Sequence, residues 1–543
     1  MTSYLHRPGK VSFMYQTIPQ RVNQLAQNDP DKPAIVVYKN KEDRQQITRK
    51  QIYDGAVKFA KALINLGIQK GELVAYSVSN CVEWLIYEIG IIMTGAISVK
   101  VMLGLADFKT VLYGCSLVVF DSKYIWENFL KIADISDNGK VSSEIYPNLR
   151  LAIAVSEAER PENALFAAKL MEDVSSKTDV ILPSISPDDT ALISQSSGST
   201  GAPKRICHSH FNWINGFYTF YTDAGVNEKD KAYCSRPMGY VVGYPSMFLS
   251  IGCTHVTGDV TMLNNNENID FIMNLWKTEK CDVIWVVPQR LKYIKESSFR
   301  VKRIISGGDL IARDWIENSF RLADKFSLGY GSTETVISAQ RLFSKENMDQ
   351  HVKGMLGRPL PGSEVKILDQ NKNVVPIGSI GSLYIRSCWT QKIFQDGTHC
   401  LEEGWIPTSD ICKLTPEGDL IMIGRSVDFI KKSTVKLSIK TIEEYVGRHP
   451  SVAEVIVVPI PDESFGECIC ACVTILPGHK FNREDLTKFC TETMPHPSNF
   501  DHVTIIPDYF LHFTSFPKLP SEKFNKQSIK RSAIEMVKES YGK

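Results

Sequence analysis

Short apolar runs alternate with amphipathic stretches along the chain up to about residue 420. The runs KPAIVVY (32–38), ELVAYSVSN (72–80), KCDVIWVVP (280–288) and VKRIISGG (301–308) are rich in β-branched and small apolar residues. Between the first two runs, residues 45–67 carry Tyr, Ala and Leu at helical spacing and end on a glycine. Strand-like runs that alternate with helical stretches predict an α/β fold with largely buried strands.

Two later segments follow different patterns. Residues 362–387 alternate apolar and polar positions around Asn and Gly turns, which predicts an antiparallel subdomain. Beyond 418–433, a short helix (440–450) precedes two apolar strands (452–461 and 467–476). This order predicts a small α+β C-terminal domain, so we divide the chain into residues 1–424 and 425–543.

Composition narrows the class of protein. A chain of 543 residues is too long for one hydrophobic core, and 43% hydrophobic with 23% charged residues is typical of a globular protein. The formal net charge of +1 predicts no general attraction to nucleic acid. The apolar stretch 84–103 contains Glu88 and Lys100, which favours a buried helix and strand over a transmembrane segment.

The chain ends give an expectation about location. The first residues have no apolar signal-peptide core, and the last residues, SYGK, are not an S-K-L peroxisomal signal. We therefore expect a cytoplasmic protein whose thirteen cysteines are reduced. The oligomeric state is left open.

The stretch SQSSGSTGAPKRICHSH (194–210) concentrates small hydroxyl residues and glycines around Lys204. It follows the apolar run TALI (190–193) and precedes a helical pattern at 210–221. The order predicts a strand, a flexible loop and a helix, in which backbone N–H groups, hydroxyls and one ammonium group bind a phosphate. The spacing is not that of a Walker loop. The alternative is a solvated Ser/Gly linker.

Four further motifs follow in a fixed order, together with GRPLPGSEVKILD (357–369). They are LGYGSTET (328–335), GWIPTSD (404–410), IGRSVDFIKK (423–432) and PKLPSEKFNK (517–526). With the loop at 194–204, this order resembles the ANL superfamily of adenylate-forming enzymes, which includes acyl- and aryl-CoA synthetases, adenylation domains of peptide synthetases and beetle luciferases. The resemblance covers essentially the whole chain.

The resemblance implies a fold and a reaction. The fold is a large N-terminal α/β domain of several subdomains with mixed sheets, followed by a small α+β C-terminal domain on a hinge. The reaction is attack of a carboxylate on the α-phosphate of ATP, which gives an acyl-adenylate and pyrophosphate. Two anions must meet, so neutralisation of charge is the main chemical demand. The partners implied are a small carboxylic acid, ATP and Mg²⁺, with CoA as a possible acceptor.

The resemblance also assigns residues to the nucleotide. The phosphate loop comprises Ser197, Gly198, Ser199, Thr200, Gly201 and Lys204. Thr333 matches a phosphate contact and Glu334 the Mg²⁺ ligand. Tyr330 matches the ring that stacks on adenine, Asp410 the carboxylate that accepts both ribose hydroxyls, and Arg425 a ribose contact. Without the motif, Tyr330 would be a half-buried core residue and Asp410 a turn residue.

The resemblance also assigns residues to catalysis and to acid binding. Lys523 matches the lysine that reaches the carboxylate and the α-phosphate, with Glu522 where relatives carry glycine. Gly307 and Gly308 match the adenine-side glycines, and Gly308 also borders the acid. Tyr240 stands where a histidine is usual in the acyl-pocket motif, and Lys431 matches a lysine of the luciferase and coumarate-ligase branch. The alternative for Lys431 and Lys523 is a solvated side chain.

Two departures from the family pattern concern the second half-reaction. Thr434 stands where thioester-forming relatives carry a glycine beside the thiol, and the hinge position is Val427. A β-branched side chain at residue 434 would narrow the tunnel through which the thiol approaches in such relatives. Three interpretations therefore remain open. They are an acyl-CoA-synthetase-like acid–thiol ligase, a luciferase-type enzyme that oxygenates its adenylate, and a degenerate member with a binding or structural role.

The tail motif generates the first prediction, the change Lys523→Ala. We expect the rate of adenylate formation to fall about 100-fold or more while ATP binding stays nearly intact, because the lysine neutralises charge that develops in the transition state. ATP–pyrophosphate exchange and equilibrium ATP binding measure the two effects separately. Lys523→Arg should retain more exchange than Lys523→Gln. Unchanged exchange in Lys523→Ala would remove this lysine from the mechanism.

Overall fold

The computed structural model describes ten segments of the chain, which are residues 1–101, 111–174, 180–196, 204–390, 401–425, 429–432, 435–462, 466–494, 505–518 and 524–541. Capping boxes start its first two helices. At each, a threonine hydroxyl (Thr17, Thr48) accepts the backbone N–H of the glutamine three residues later, whose side chain accepts the threonine N–H in return.

The α-helices of these segments, in chain order, are α1 (Ile18–Asn28), α2 (Arg49–Asn65), α3 (Trp84–Met93), α4 (Lys123–Phe129), α5 (Ala167–Val174), α6 (His210–Asp223), α7 (Ser246–Ile251), α8 (Val260–Asn264), α9 (Ile269–Thr278), α10 (Arg313–Ser319), α11 (Ile439–Val446), α12 (Arg483–Thr493) and α13 (Lys526–Tyr541). Short 3₁₀ helices cover Asp137–Gly139, Asn266–Asn268, Pro288–Tyr293 and Lys345–Gln350.

The strands, in chain order, are β1 (Tyr4–Arg7), β2 (Pro33–Tyr38), β3 (Arg44–Thr48), β4 (Leu73–Ser77), β5 (Ile97–Lys100), β6 (Cys115–Phe120), β7 (Asp134–Ser136), β8 (Lys140–Ser142), β9 (Leu151–Ala154), β10 (Leu165–Phe166), β11 (Thr190–Ser196), β12 (Lys204–Ser209), β13 (Lys231–Cys234), β14 (Thr254–Gly258), β15 (Val283–Trp285), β16 (Val301–Gly307), β17 (Ala323–Tyr330), β18 (Ala339–Phe343), β19 (Met355–Pro359), β20 (Ser363–Leu368), β21 (Gly381–Ser387), β22 (Ile406–Leu414), β23 (Leu420–Arg425), β24 (Phe429–Lys432), β25 (Val435–Ser438), β26 (Val452–Asp462), β27 (Gly466–Ile475) and β28 (Tyr509–His512).

The strands form three sheets. The first sheet has fourteen strands in the order β1-β20-β21-β22-β23-β19-β18-β17-β16-β15-β13-β14-β2-β3. The second sheet has nine strands, ordered β12-β11-β5-β4-β6-β9-β8-β7, with β10 paired to β9. The third sheet is ordered β25-β24-β27-β26, with β28 paired to β27. Parallel pairs make up the centres of the first two sheets, so the predicted α/β class is confirmed.

Two local predictions were wrong. Residues 45–48 belong to β3, which pairs antiparallel with β2, because the cap at Thr48 starts the helix there instead of at residue 45. The loop after β11 leads into β12, an antiparallel partner of β11, and only then into α6. The phosphate-loop motif therefore connects the two strands of a β-hairpin, whereas the sequence predicted that it connects a strand to a helix.

Other predictions were confirmed. The apolar stretch at 84–103 begins with helix α3, all of whose residues are buried, and continues into β5. No helix in the described part of the chain is both long and apolar enough to cross a membrane. Residues 362–387 contain the antiparallel pair β20 and β21.

The chain divides into two compact units. The first unit takes up the described residues as far as Met422, except Ser409–Ile411. Its main core packs α1, α2, α3 and α6 between the first and second sheets, since the same apolar cluster contains Ile35 of β2 and Val74 of β4. The second unit takes up Ser409–Ile411 and the described residues from Ile423 onward.

The third sheet of the second unit is covered on both faces. Apolar residues of α11 and α12 pack with Ile469, Ala471 and Val473 on one face. Residues of α13 pack with Cys468, Cys470 and Cys472 on the other. These cysteines are therefore core residues of β27.

A buried ion pair lies inside the first unit. Lys100 of β5 pairs with Glu88 of α3, whose other carboxylate oxygen accepts a hydrogen bond of 2.8 Å from Ser98. The Lys100 ammonium group lies 4.4 Å from the Trp84 ring centroid, and the rings of Tyr76 and Tyr244 are also close. Burial lowers the pKa of Lys100, and the Glu88 carboxylate opposes that shift.

The pair generates a stability prediction. Replacing only one partner, in Lys100→Met or Glu88→Met, should lower the free energy of unfolding by about 3–5 kcal/mol because the other charge stays buried without compensation. The double variant should come within about 1 kcal/mol of the wild type, since it buries no charge. Urea unfolding of the four proteins measures the coupling. Additive losses in the double variant would show that the two charges do not compensate each other.

Candidate active site

Four parallel strands of the first sheet end at one edge. Strands β13, β15, β16 and β17 are neighbours in that order, so the loops at their carboxyl ends lie side by side. Tyr240 lies in the loop after β13, Gly307 and Gly308 at the end of β16, and Tyr330 at the end of β17. The sheet therefore brings together the residues assigned to the acid and to the adenine ring.

The same edge contains a topological switch point. From β13 the chain continues to β14 on one side, and the later strands β15, β16 and β17 lie on the other side. Loops that leave a parallel sheet in opposite directions open a crevice between them, which is the usual ligand site of such sheets. The loop with Tyr240 borders this crevice.

Glycine is suited to each of the two positions at the end of β16 for a different physical reason. A Cβ atom on Gly307 would lie 2.1 Å from the carbonyl oxygen of Gly329, so only glycine allows β16 and β17 to approach this closely. Gly308 has a φ of +86°, a left-handed conformation that glycine adopts without strain. The space beside Gly308 is open, since a Cβ atom there would meet no atom within 4 Å.

The loop between β17 and β18 holds Thr333 and Glu334 half-buried. Ser332 N–H donates to the Thr335 hydroxyl at 3.1 Å, and Ser338 N–H donates to the Tyr330 carbonyl at 2.8 Å. Val336 has a φ of +58°, which is strained for a β-branched residue. A tightly bonded loop with a strained residue fixes the Glu334 backbone.

The phosphate-loop motif is only partly described. The β11–β12 register pairs Ser196 with Lys204, so exposed Lys204 lies where the chain leaves the loop. Ser197, Gly198, Ser199, Thr200 and Gly201 lie outside the described residues, as does Lys523.

The second unit contains the two expected ribose contacts. Arg425 Nε lies 3.3 Å from a carboxylate oxygen of buried Asp410. Ser409, directly before Asp410, has a φ of +59°. Backbone strain next to a candidate ligand residue is typical of a binding site. Lys431 belongs to strand β24.

Asn80 joins the two sheets beside the Tyr240 loop, and sequence reasoning missed it. Its side-chain oxygen accepts the Met238 N–H at 2.8 Å, and its amide nitrogen donates to the carbonyls of Arg236 and Gly258 and to the Thr257 hydroxyl. Asn80 follows β4 of the second sheet and is 8% exposed. Its position just beyond a parallel strand was the only available signal, because it belongs to no motif.

The described residues suit Mg²⁺ and a nucleotide. Glu334 makes no ion pair with any described residue, so its half-buried carboxylate is available to a cation. Carboxylate and hydroxyl oxygens from Glu334 and Thr333 are hard donors of the kind that Mg²⁺ prefers. The open space beside Gly308 leaves room at the end of β16 for a flat ring near Tyr330.

Comparison with known proteins adds independent findings. The chain matches the family model described as AMP-binding enzyme over residues 22–393 and the model of the AMP-binding enzyme C-terminal domain over residues 441–516. It is 24% identical over 571 residues to the mitochondrial medium-chain acyl-CoA ligase ACSF2 of Danio rerio. The alignment covers 98% of this chain and 92% of the relative.

Two solved structures have a similar fold. The o-succinylbenzoate CoA synthetase MenE of Bacillus subtilis, in complex with its acyl-adenylate intermediate, matches with a TM-score of 0.69 at 19% identity and covers 95% of this chain and 98% of that one. ATP-bound MatB of Rhodopseudomonas palustris matches with a TM-score of 0.71 at 18% identity and covers 96% and 100%. At these identities the likeness establishes the fold alone.

The position of Asn80 generates a prediction about the acid. Asn80→Ala leaves the Met238 N–H and two carbonyls without their partner, so we expect the free energy of unfolding to fall by about 1–3 kcal/mol. The KM for the acid should rise more than the KM for ATP, because the Tyr240 loop loses its anchor. Steady-state kinetics with each substrate varied in turn measure this.

The matched control is Asn128→Ala, which removes an amide that donates to the Tyr124 carbonyl on the surface of α4. Equal changes in both KM values of Asn80→Ala would show that the anchor does not act on the acid loop.

Proposed function

Because the chain belongs to the AMP-binding enzyme family, we propose that it uses ATP to activate a carboxylic acid as an acyl-adenylate and then transfers the acyl group to CoA. One structural observation supports this function in addition to membership of the family. The first sheet places Tyr240, Gly307–Gly308 and the Tyr330–Glu334 loop at adjoining strand ends beside a switch point.

The residues divide the work in this proposal. When bound, ATP supplies the adenylyl group that the acid accepts, and Mg²⁺ neutralises phosphate charge. Thr333 and Glu334 hold the metal and phosphate oxygens, Tyr330 stacks on the adenine ring, and Asp410 accepts hydrogen bonds from the ribose hydroxyls. Arg425 supports the ribose contact, and Gly307 lets β16 and β17 approach closely beneath the site.

Charge neutralisation comes from two sets of residues in this proposal. Lys204 and the loop from Ser197 to Gly201 bind the outer phosphates, and Lys523 neutralises the acid and the α-phosphate. Tyr240, Gly308 and Lys431 contribute to acid binding. The functional boundary proposed for this division lies between residues 424 and 425.

Acyl transfer to CoA is the preferred second step, because the zebrafish relative is named as an acyl-CoA ligase and MenE as a CoA synthetase. The light-emitting alternative depended on Val427 and Thr434, which lie outside the described residues, and Lys431 matches luciferases and coumarate ligases alike. A cytoplasmic location stays part of the proposal, although the zebrafish relative is named as mitochondrial.

The deciding experiment is ATP–pyrophosphate exchange over a panel of carboxylic acids, followed by CoA-dependent release of AMP with the best acid. Acid-dependent exchange supports adenylation, and CoA-stimulated AMP release supports the ligase. Absence of exchange with every acid would favour the degenerate interpretation. Exchange without CoA-dependent release would overturn the second step.

The metal assignment generates the prediction for Glu334→Gln. We expect the Mg²⁺ concentration for half-maximal exchange to rise about 10-fold, because a neutral amide is a weaker ligand for a hard cation. The melting temperature should change little, since the side chain makes no ion pair with any described residue. Titration of exchange with Mg²⁺ measures the effect, and exposed Glu346→Gln is the matched control. A collapsed melting temperature with unaltered metal dependence would identify Glu334 as a structural residue.

A further inference from the structure

The second sheet has a switch point of its own. From β4 the chain continues to β5 on one side, and then returns to β6 and β9 on the other. The crevice therefore opens between the loops that follow β4 and β6. These loops meet directly, since Ser79 N–H donates to a carboxylate oxygen of Asp121 at 2.7 Å.

A cleft of about 860 Å³ lies at this switch point. Its walls include Ser79, Asp121 and Val155, which follow β4, β6 and β9 of the second sheet. Lys39 and Asp259 complete the wall from the carboxyl ends of β2 and β14 in the first sheet. The carboxyl edges of both sheets thus face one cavity, of the size that small-molecule sites have.

The cleft is distinct from the candidate active site. The residues that the first sheet contributes to the cleft follow β2 and β14, whereas the residues assigned to the candidate active site follow β13, β16 and β17. Asn80 stands between the two regions, because it lines the cleft and also holds the backbone of Arg236 and Met238.

Asp121 gives the cleft its chemical character. One carboxylate oxygen accepts the Ser79 N–H, while the other, Oδ1, is buried and has no hydrogen-bond partner among the described residues. A buried carboxylate oxygen without a donor is costly, so such a group indicates a ligand or water. Burial raises the pKa of this carboxyl group, and hydrogen bonding from Ser79 opposes the shift.

The surroundings favour a cation with an apolar body. Glu83 also lines the cleft, and beside these charges lie Ile86, Val155 and Met171 as an apolar wall. Burial, with Glu83 and Asp121 adding to it, raises the pKa of the Cys81 thiol well above its ordinary range, while Lys39 opposes this effect. Carboxylates outnumber ammonium groups in the lining of the cleft, which contains Glu83, Asp121, Glu172 and Asp259 against Lys39 and Lys58.

We propose that this cleft is a second small-molecule site, which binds an organic amine with its ammonium group at Asp121 Oδ1 and its apolar part against Met171 and Val155. An ammonium group supplies both the missing hydrogen bond and the missing charge. A neutral alcohol would supply only the hydrogen bond. No metal is proposed, because the described residues contain no group of three or more His, Cys, Asp or Glu side chains that could hold one.

The test uses phenethylamine and the neutral 2-phenylethanol as probes, with binding to the full chain measured by calorimetry without ATP or acid. We expect phenethylamine to bind with a dissociation constant below about 1 mM and the alcohol about 10-fold or more weakly. Asp121→Asn should weaken amine binding about 10-fold or more, because its amide oxygen still accepts the Ser79 N–H while the negative charge is lost.

Exposed Asp134→Asn on β7 is the matched control and should bind the amine like the wild type. Ala168→Phe fills the cleft from α5 without changing its charge and should also weaken binding. Equal binding of the two probes, unaltered binding in Asp121→Asn, or no amine binding by the wild type would overturn the proposal. Because the assay needs no adenylation, its failure is distinguishable from failure of the proposed enzyme activity.

Discussion

The alignment of parallel strands is the constraint on which the other features depend. In a parallel sheet every strand ends at the same edge, so each loop that leaves a carboxyl end lies beside the next one. The first sheet applies this rule to β13, β15, β16 and β17, and the second to β4, β6 and β9. Asn80 then connects the two edges through four hydrogen bonds in a buried position. Residues that are far apart in sequence share one region because of that geometry.

Backbone strain and close approach of backbone segments both occur at the candidate active site. Gly307 and Gly331 each lie so near a carbonyl oxygen that a Cβ atom would come within about 2 Å of it. Val336 and Ser409 have left-handed φ values that cost free energy in residues with side chains. The surrounding hydrogen bonds and packing must offset these costs. Such strain is retained where a fixed loop shape serves binding, and it lies next to Glu334 and Asp410.

Sequence patterns predicted the parallel layer well because buried strands and amphipathic helices have distinct periods. They failed where a short polar strand carries no such period, as in β3 and β12, whose pairing is decided by tertiary contact. For the candidate site, the motif proposed Tyr330, Thr333 and Glu334, and the β16–β17 register pairs Gly307 with Gly329, directly before Tyr330. Asn80 and Asp121 belong to no motif. Their importance follows from which strands become neighbours, and a single sequence does not state that.

Glu88 and Asp121 show two ways of placing a carboxylate in the first unit. Glu88 is fully buried, yet the Lys100 ammonium group and the Ser98 hydroxyl bind its two oxygens, so its charge is compensated inside the protein. Asp121 receives its hydrogen bonding from Ser79, while its Oδ1 has no hydrogen-bond partner among the described residues. The desolvation cost that Lys100 offsets for Glu88 therefore remains for Asp121. Since one carboxylate is closed off in the core and the other lines a cleft, the second is the one suited to accept its counter-charge from a ligand.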